Sequence, residues 1–310
     1  MKLRLKLNDV LVLHVELSSK CNAWCPGCAR NQQGYGLKSG LSPTNLDLSV
    51  LHNALDKLPN LNRVQLCGRH GDPVIHQDFD TAIDWLLERP IFIQIHTNAS
   101  LRNEQWWTEL GTKLSKIKHM IWFGIDGLAD THSIYRQGTD FNKVIANATA
   151  FINAGGSAVW QFIPFEHNEH QIRDCIKLAK KIGFKQFEII EGVRNPMVAK
   201  HYTTGQEYIL TPWSRNSKLN FLENRTKLAF ENCSHLMAKE LYITASGKYT
   251  LCCHFDSAHP NLDPVLFDTL EATEQLDIET EINTKPRPLC VKSCAGLKME
   301  RKLFQLAREQ

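Results

Sequence analysis

Three cysteines stand close together near the start of the chain, Cys21, Cys25 and Cys28, with three and then two residues between them. Thiols at that spacing converge on one small volume if the loop wraps round it. Thiolates bind soft metals and iron–sulfur centres. A closed structural zinc site needs a fourth protein ligand, and iron–sulfur clusters normally take four thiolates. A cluster held by three therefore keeps one iron for another molecule. A second group lies late in the chain: Cys233, Cys252, Cys253, Cys290 and Cys294, with only Cys67 and Cys175 between. Ten cysteines spread over 310 residues do not make a disulfide-stapled mini-domain, so metal or redox chemistry is the better reading.

Such thiols need a scaffold, and the pattern supplies one. Residues 3–7 alternate Leu with charge and 10–17 are strongly apolar, two strand-like runs separated by Asn8 and Asp9. Leu51, Ala54, Leu55 and Leu58 then follow helical spacing, before a short strand over 63–68. Helical faces recur over 79–86, 107–114, 144–152 and 172–179, each followed by a strand, at 91–97, 120–125, 158–164 and 186–190. Counted from Val10, this gives strands interleaved with helices, the signature of parallel strands joined by helical crossovers. The expected class is α/β: a partial (β/α)6 TIM-like barrel, fewer units than the eight of a closed one, or an open doubly wound sheet. In either, chemistry gathers at the carboxyl ends of the strands, where the Cys21 loop sits.

Beyond the sixth strand the alternation stops. Residues 193–231, with Asn195-Pro196 and Thr203 to Gly205, read as a connector. Residues 241–251 look like a hairpin turning at Ser246 and Gly247, and 296–308 like a closing helix. The expected organisation is a core over 1–195, a connector over 196–230 and a cysteine-bearing unit over 231–310. Composition is that of a soluble globular protein, at 43% hydrophobic and 22% charged residues. A net charge of +3 does not argue for nucleic acid or membrane. The N-terminus lacks the apolar core of a signal peptide, and no run approaches the roughly 18 apolar residues of a membrane span. A cytoplasmic location, where thiols stay reduced, is expected.

The spacing of Cys21, Cys25 and Cys28 after a first strand resembles the signature of the radical S-adenosylmethionine (SAM) enzymes, in which SAM chelates the free iron of a 4Fe-4S cluster. Other stretches share the resemblance. Trp24 stands where that family often carries an aromatic residue, which implies stacking near the adenine. Gly71, Asp72 and Pro73 resemble a Gly-Glu-Pro motif that holds the methionine amino group, with the shorter Asp for Glu. Thr97 and Asn98 match the start of a Thr-Asn-Gly motif. Residues 124–127 resemble Ser-Ile-Asp-Gly, which contacts the SAM ribose; Gly124 replaces Ser and leaves Asp126 as the candidate. Arg136, downstream of His132, matches a residue that pairs with the SAM carboxylate, a target suited to a bidentate guanidinium.

In the last third, Cys233, Gly247 and Cys252 match the opening of the SPASM and twitch extensions, with Cys290 and Cys294 completing four ligands for one auxiliary 4Fe-4S cluster. Cys253 competes with Cys252, because neighbours on a strand point opposite ways. The resemblance implies reductive cleavage of SAM to a 5′-deoxyadenosyl radical that abstracts hydrogen from substrate, with an oxidation favoured and ferredoxin or flavodoxin as electron donor. Peptide-modifying relatives often carry a leader-binding domain, and only a nine-residue segment precedes the first core strand, so a small molecule, or a peptide with a separately supplied recognition protein, is expected. A zinc–thiolate protein without SAM cleavage is the alternative of another class.

Overall fold

A computed structural model describes residues 6–115, 119–190, 192, 193, 195–214, 238–253, 265–276 and 302–305. In chain order the core elements are β1 (Val12–Val15), α1 (Leu48–Lys57), β2 (Arg63–Leu66), α2 (Phe79–Leu87), β3 (Phe92–Thr97), α3 (Glu104–Leu114) and β4 (Met120–Gly124). There follow α4 (His132–Tyr135), α5 (Phe141–Asn153), β5 (Ser157–Phe162), α6 (Ile172–Ile182) and β6 (Gln186–Ile189). Helix starts are fixed by short polar side chains that accept from free backbone N–H groups: Asp47 from Ser49, Asn103 from Trp106 and Asp140 from Lys143. Gly183, at φ 101°, ends α6 in the left-handed conformation a glycine adopts without strain.

Neighbouring strands from β1 to β6 pair in sequence order and in parallel. A doubly wound sheet would reverse its order at a switch point; none occurs between these strands. The side chains agree. Leu13, Val15, Val64, Leu66, Ile93, Ile95, Ile121, Phe123, Trp160 and Phe187 join one buried cluster with apolar residues from α1, α2, α3, α5 and α6. These helices therefore share one face of the sheet, as in a barrel. Each large side chain so buried contributes on the order of 1.5–3 kcal/mol relative to exposure.

The alternate strand positions carry polar groups on the other face. There the Trp122 indole and the Gln161 amide donate to Glu188, at 2.9 and 3.3 Å, and His14 Nε2 meets the Cys67 carbonyl at 2.6 Å. The result is an open partial (β/α)6 barrel.

Three elements depart from the pattern read in the sequence. The connector contains a hairpin, β7 (Met197–Lys200) and β8 (Glu207–Leu210), whose turn holds Thr203 to Gly205. The hairpin over 241–251 forms, as β9 (Glu240–Ile243) and β10 (Tyr249–Thr250), but β9 pairs in parallel with β1 and so extends the barrel sheet. In place of a closing helix, β11 (Lys302–Gln305) pairs antiparallel with β6. An edge strand with free N–H and C=O groups outweighs the local helical preference of an isolated tail. Residues 3–5 of the expected first strand lie outside the described residues, and Leu7–Asp9 form a short 3-10 turn. Among the described residues no helix is long and apolar enough to cross a membrane.

Candidate cofactor site

The loop after β1 carries the three early cysteines to one apolar cluster. Cys25 is buried with Ala23, Tyr135, Phe165, Ala199 and Leu210, and Cys21 and Cys28 pack against the same cluster. The Cys28 N–H donates to the Cys25 carbonyl at 3.1 Å, turning the loop back on itself. Sulfur atoms receive N–H donors: Ala23 N and Asn98 Nδ2 on Cys21, at 3.4 and 3.5 Å, and Arg30 N on Cys28 at 3.5 Å. Such donors stabilise thiolates bound to metal and tune what they bind. Burial pushes the Cys25 thiol up to about 12, against the pull of the nearby Arg136 guanidinium, and raises Cys21 and Cys28 as well. Free thiols here are therefore protonated at neutral pH, and a metal centre must displace their protons. Among the described residues no three His, Cys, Asp or Glu side chains are grouped to hold a single metal ion.

Around this loop stand the ends of β2, β3 and β4. Gly71 lies so close to the segment before Cys21 that a Cβ would sit 2.0 Å from the Ser18 carbonyl oxygen and 2.6 Å from that of Lys20. Asp72, 4% exposed, is fully occupied by the protein: it accepts from Val74 N at 3.1 Å, Thr97 Oγ1 at 2.9 Å and Asn98 N at 2.7 Å. Burial raises its pKa despite those donors. Its carboxylate thus ties the β2 loop to the end of β3. Asn98 in turn bonds Cys21 and Asn22 through Nδ2, so its amide faces the thiol loop. The next residue, Ala99, holds φ 55° where the resembled motif has glycine.

Asp126 and Arg136 meet each other. The Arg136 Nε donates to Asp126 Oδ2 at 2.6 Å, and Asp126 Oδ1 accepts from Ile163 N at 2.6 Å. Asp126 is fully buried and therefore spends both oxygens on the protein. No hydrogen bond from the Arg136 Nη atoms occurs among the described residues, and its charge acts on Cys25 and Cys28. The loss of Ser at 124 has a steric reason. A Cβ on Gly124 would lie 2.6 Å from Arg136 Nη2 and 2.8 Å from its Cζ; the guanidinium occupies the space a serine would fill.

Trp24 lies parallel to Tyr202, with centroids 6.0 Å apart, and has the Arg30 guanidinium 5.0 Å from its ring centre. Of the late cysteines, Cys252 is buried at 3% exposure in the main core, while the Cys253 carbonyl accepts from Arg69 Nη1 at 2.7 Å. Cys233, Cys290 and Cys294 lie outside the described residues. Sequence reasoning missed Arg30, Gln137 and the β7–β8 hairpin. Gln137 joins three segments: its carbonyl accepts from Trp24 N at 2.8 Å, its side-chain oxygen from Tyr202 N at 2.8 Å, and its amide Nε2 donates to Tyr208 Oη at 2.6 Å. Two short apolar-rich runs, Met197 to Lys200 and Glu207 to Leu210, around a Thr-Thr-Gly turn were the readable signal for the hairpin.

No protein-family model and no curated protein matches the sequence. Solved structures do match the fold. Native anSMEcpe with bound AdoMet and Cp18Cys peptide aligns over 92% of this chain and 86% of that one, at TM-score 0.59 and 17% identity. Streptococcus suis SuiB bound to S-adenosylmethionine aligns over 92% and 68%, at TM-score 0.57 and 16% identity. With a polyhistidine-tagged anSMEcpe bound to AdoMet, the match spans half of that chain, at 50%, with TM-score 0.48 and 19% identity. In fold, therefore, the chain is similar to SuiB and anSMEcpe, both solved with bound S-adenosylmethionine.

Proposed function

We propose that this protein is a radical SAM enzyme. The observation that carries the reading is the one cluster that Cys21, Cys25 and Cys28 share, with N–H donors on the sulfurs of Cys21 and Cys28 and the Arg136 guanidinium acting on Cys25 and Cys28. The donor chemistry fits a 4Fe-4S cluster: thiolates whose charge is offset by a guanidinium, at the carboxyl end of β1. When bound, that cluster supplies one electron for reductive cleavage of SAM, and the 5′-deoxyadenosyl radical so released abstracts hydrogen from substrate.

The chain's own residues position and shield. Gly71 lets the β2 loop approach the thiol segment, and the backbone of that loop offers the carbonyls for the SAM amino group. Asp72 holds that loop in place from behind, and Asn98 orients Cys21. Asp126 fixes Arg136, whose Nη atoms take the SAM carboxylate; Trp24 stands at the rim for the adenine. The β7–β8 hairpin covers the loop with Ala199 and Leu210, excluding water.

The same proposal extends to residues 231–310, where Cys233, Cys252, Cys290 and Cys294 hold an auxiliary 4Fe-4S cluster, and to ferredoxin or flavodoxin as electron donor in an oxidation. On substrate, the structural relatives favour a peptide over the small molecule expected from sequence: SuiB is solved with precursor peptide SuiA and anSMEcpe with the Cp18Cys peptide. Anaerobic reconstitution tests the metal content, with about eight irons per chain expected for two 4Fe-4S clusters. About four would remove the auxiliary cluster, and zinc without iron would overturn the whole reading.

A further inference from the structure

We infer that Arg30 is the counter-charge of the group held by Cys21, Cys25 and Cys28 and raises the ease with which that group accepts an electron. The inference rests on reading those thiols as iron–sulfur ligands. Arg30 is 6% exposed. Its guanidinium makes one long hydrogen bond among the described residues, from Nη1 to the Ala23 carbonyl at 3.5 Å. Nε is buried and has no partner among them. Every ion pair among the described residues lies elsewhere.

Arginine stays protonated in proteins. The structure therefore buries a positive charge whose negative partner is not a side chain of the described fold. An ion buried without a counter-charge destabilises the fold that holds it. The Trp24 ring, 5.0 Å from the Arg30 guanidinium, offsets only part of that through cation–π attraction. No anion for it stands among the described side chains, and the location of Arg30 points to one. Arg30 lies two residues after Cys28 and its backbone N–H points at that sulfur. Three thiolates carrying a cluster bring negative charge to the cluster of residues beside Arg30. Arg136, the other guanidinium near the thiols, already has Asp126 as partner. Among the described residues Arg30 is thus the cation near the thiols without an anionic partner, and each electron added to the cluster is attracted to it. Its part is positioning of charge, not contact with substrate.

The test is a redox titration of the anaerobically reconstituted protein, following the electron paramagnetic resonance signal that changes on adding SAM. Wild type, Arg30→Met and Arg30→Lys are compared, with iron content measured on each. Arg30→Met is expected to lower the equilibrium constant for one-electron reduction at least about tenfold, a fall of about 59 mV; Arg30→Lys, which keeps the charge, stays nearer to wild type. Should Arg30→Met not fold, Arg30→Gln carries the same comparison. An unmoved midpoint in the neutral variant overturns the role of Arg30 alone. A wild-type protein whose early thiols bind no iron overturns the reading beneath it instead.

Discussion

Removing the charge of Arg136 should destabilise the fold and, separately, weaken SAM binding, and a double-mutant cycle divides the two. Asp126 is 0% exposed on its side chain and Arg136 15%, with 2.6 Å between Oδ2 and Nε. At an effective dielectric of about 20, charges about 4 Å apart attract by about 4 kcal/mol. Breaking such a pair from one side leaves an unpaired buried carboxylate, for a cost of about 3–5 kcal/mol. Arg136→Met should therefore lose about that much in urea unfolding. Asp126→Asn with Arg136→Met leaves no buried charge, and the introduced asparagine retains an oxygen for the Ile163 N–H. The pair should recover about 2 kcal/mol relative to the sum of the single costs. SAM affinity, measured by calorimetry, should not recover, because the Nη donors are missing in the double variant too. A charge-assisted bond of about 1.5–3 kcal/mol corresponds to roughly tenfold to a hundredfold weaker binding. Strictly additive stabilities would refute the coupling, and recovered SAM affinity would refute the carboxylate role.

Gly124→Ser restores the residue of the resembled motif but drives a Cβ against the Arg136 guanidinium, so it should cost about 1–3 kcal/mol of stability and lower SAM affinity; neutral behaviour in both assays counts against the steric account. Gln137→Ala removes the hydrogen bonds to Tyr202 and Tyr208, and should speed amide exchange in β7 and β8 while β2 to β5 stay protected. A uniform change across the sheet would contradict that. Burial alone would lower the His14 pKa, but the Cys67 side chain and the Glu240 carboxylate beside it carry it well above the ordinary value. This contribution to stability is therefore complete below about pH 6.5 and fades as pH rises through the higher folded value. His14→Gln should flatten the loss of stability measured above neutrality, and an unchanged slope in the variant argues against the assignment.

What was legible in the sequence was whatever repeats with a period. The positions Leu51, Ala54 and Leu55, or Val144, Ala148 and Phe151, declare a helix face because each must meet the sheet, and they do. The sheet order followed from those units, and the single helical face decided between barrel and doubly wound sheet only once Leu13, Ile95 and Phe123 were seen in one cluster. Roles that depend on contacts between distant segments were not legible. Asp72 and Asp126 carry residue types suited to a cofactor, yet their oxygens are taken by Thr97, Asn98, Ile163 and Arg136. Nothing local in residues 296–308 announces a strand, because its partner, β6, lies far back in the chain. Arg30 was passed over for the opposite reason: a charged residue beside cysteines reads as solvated until its burial is known.

The central claim is that the thiols of Cys21, Cys25 and Cys28 hold a centre with one iron open to SAM. Anaerobically reconstituted protein, reduced with dithionite in the presence of SAM, should release 5′-deoxyadenosine and methionine. The Cys21→Ala, Cys25→Ala and Cys28→Ala variants should each release none. Product at the wild-type rate from any of the three, or SAM left intact by iron-loaded wild type, would contradict the account.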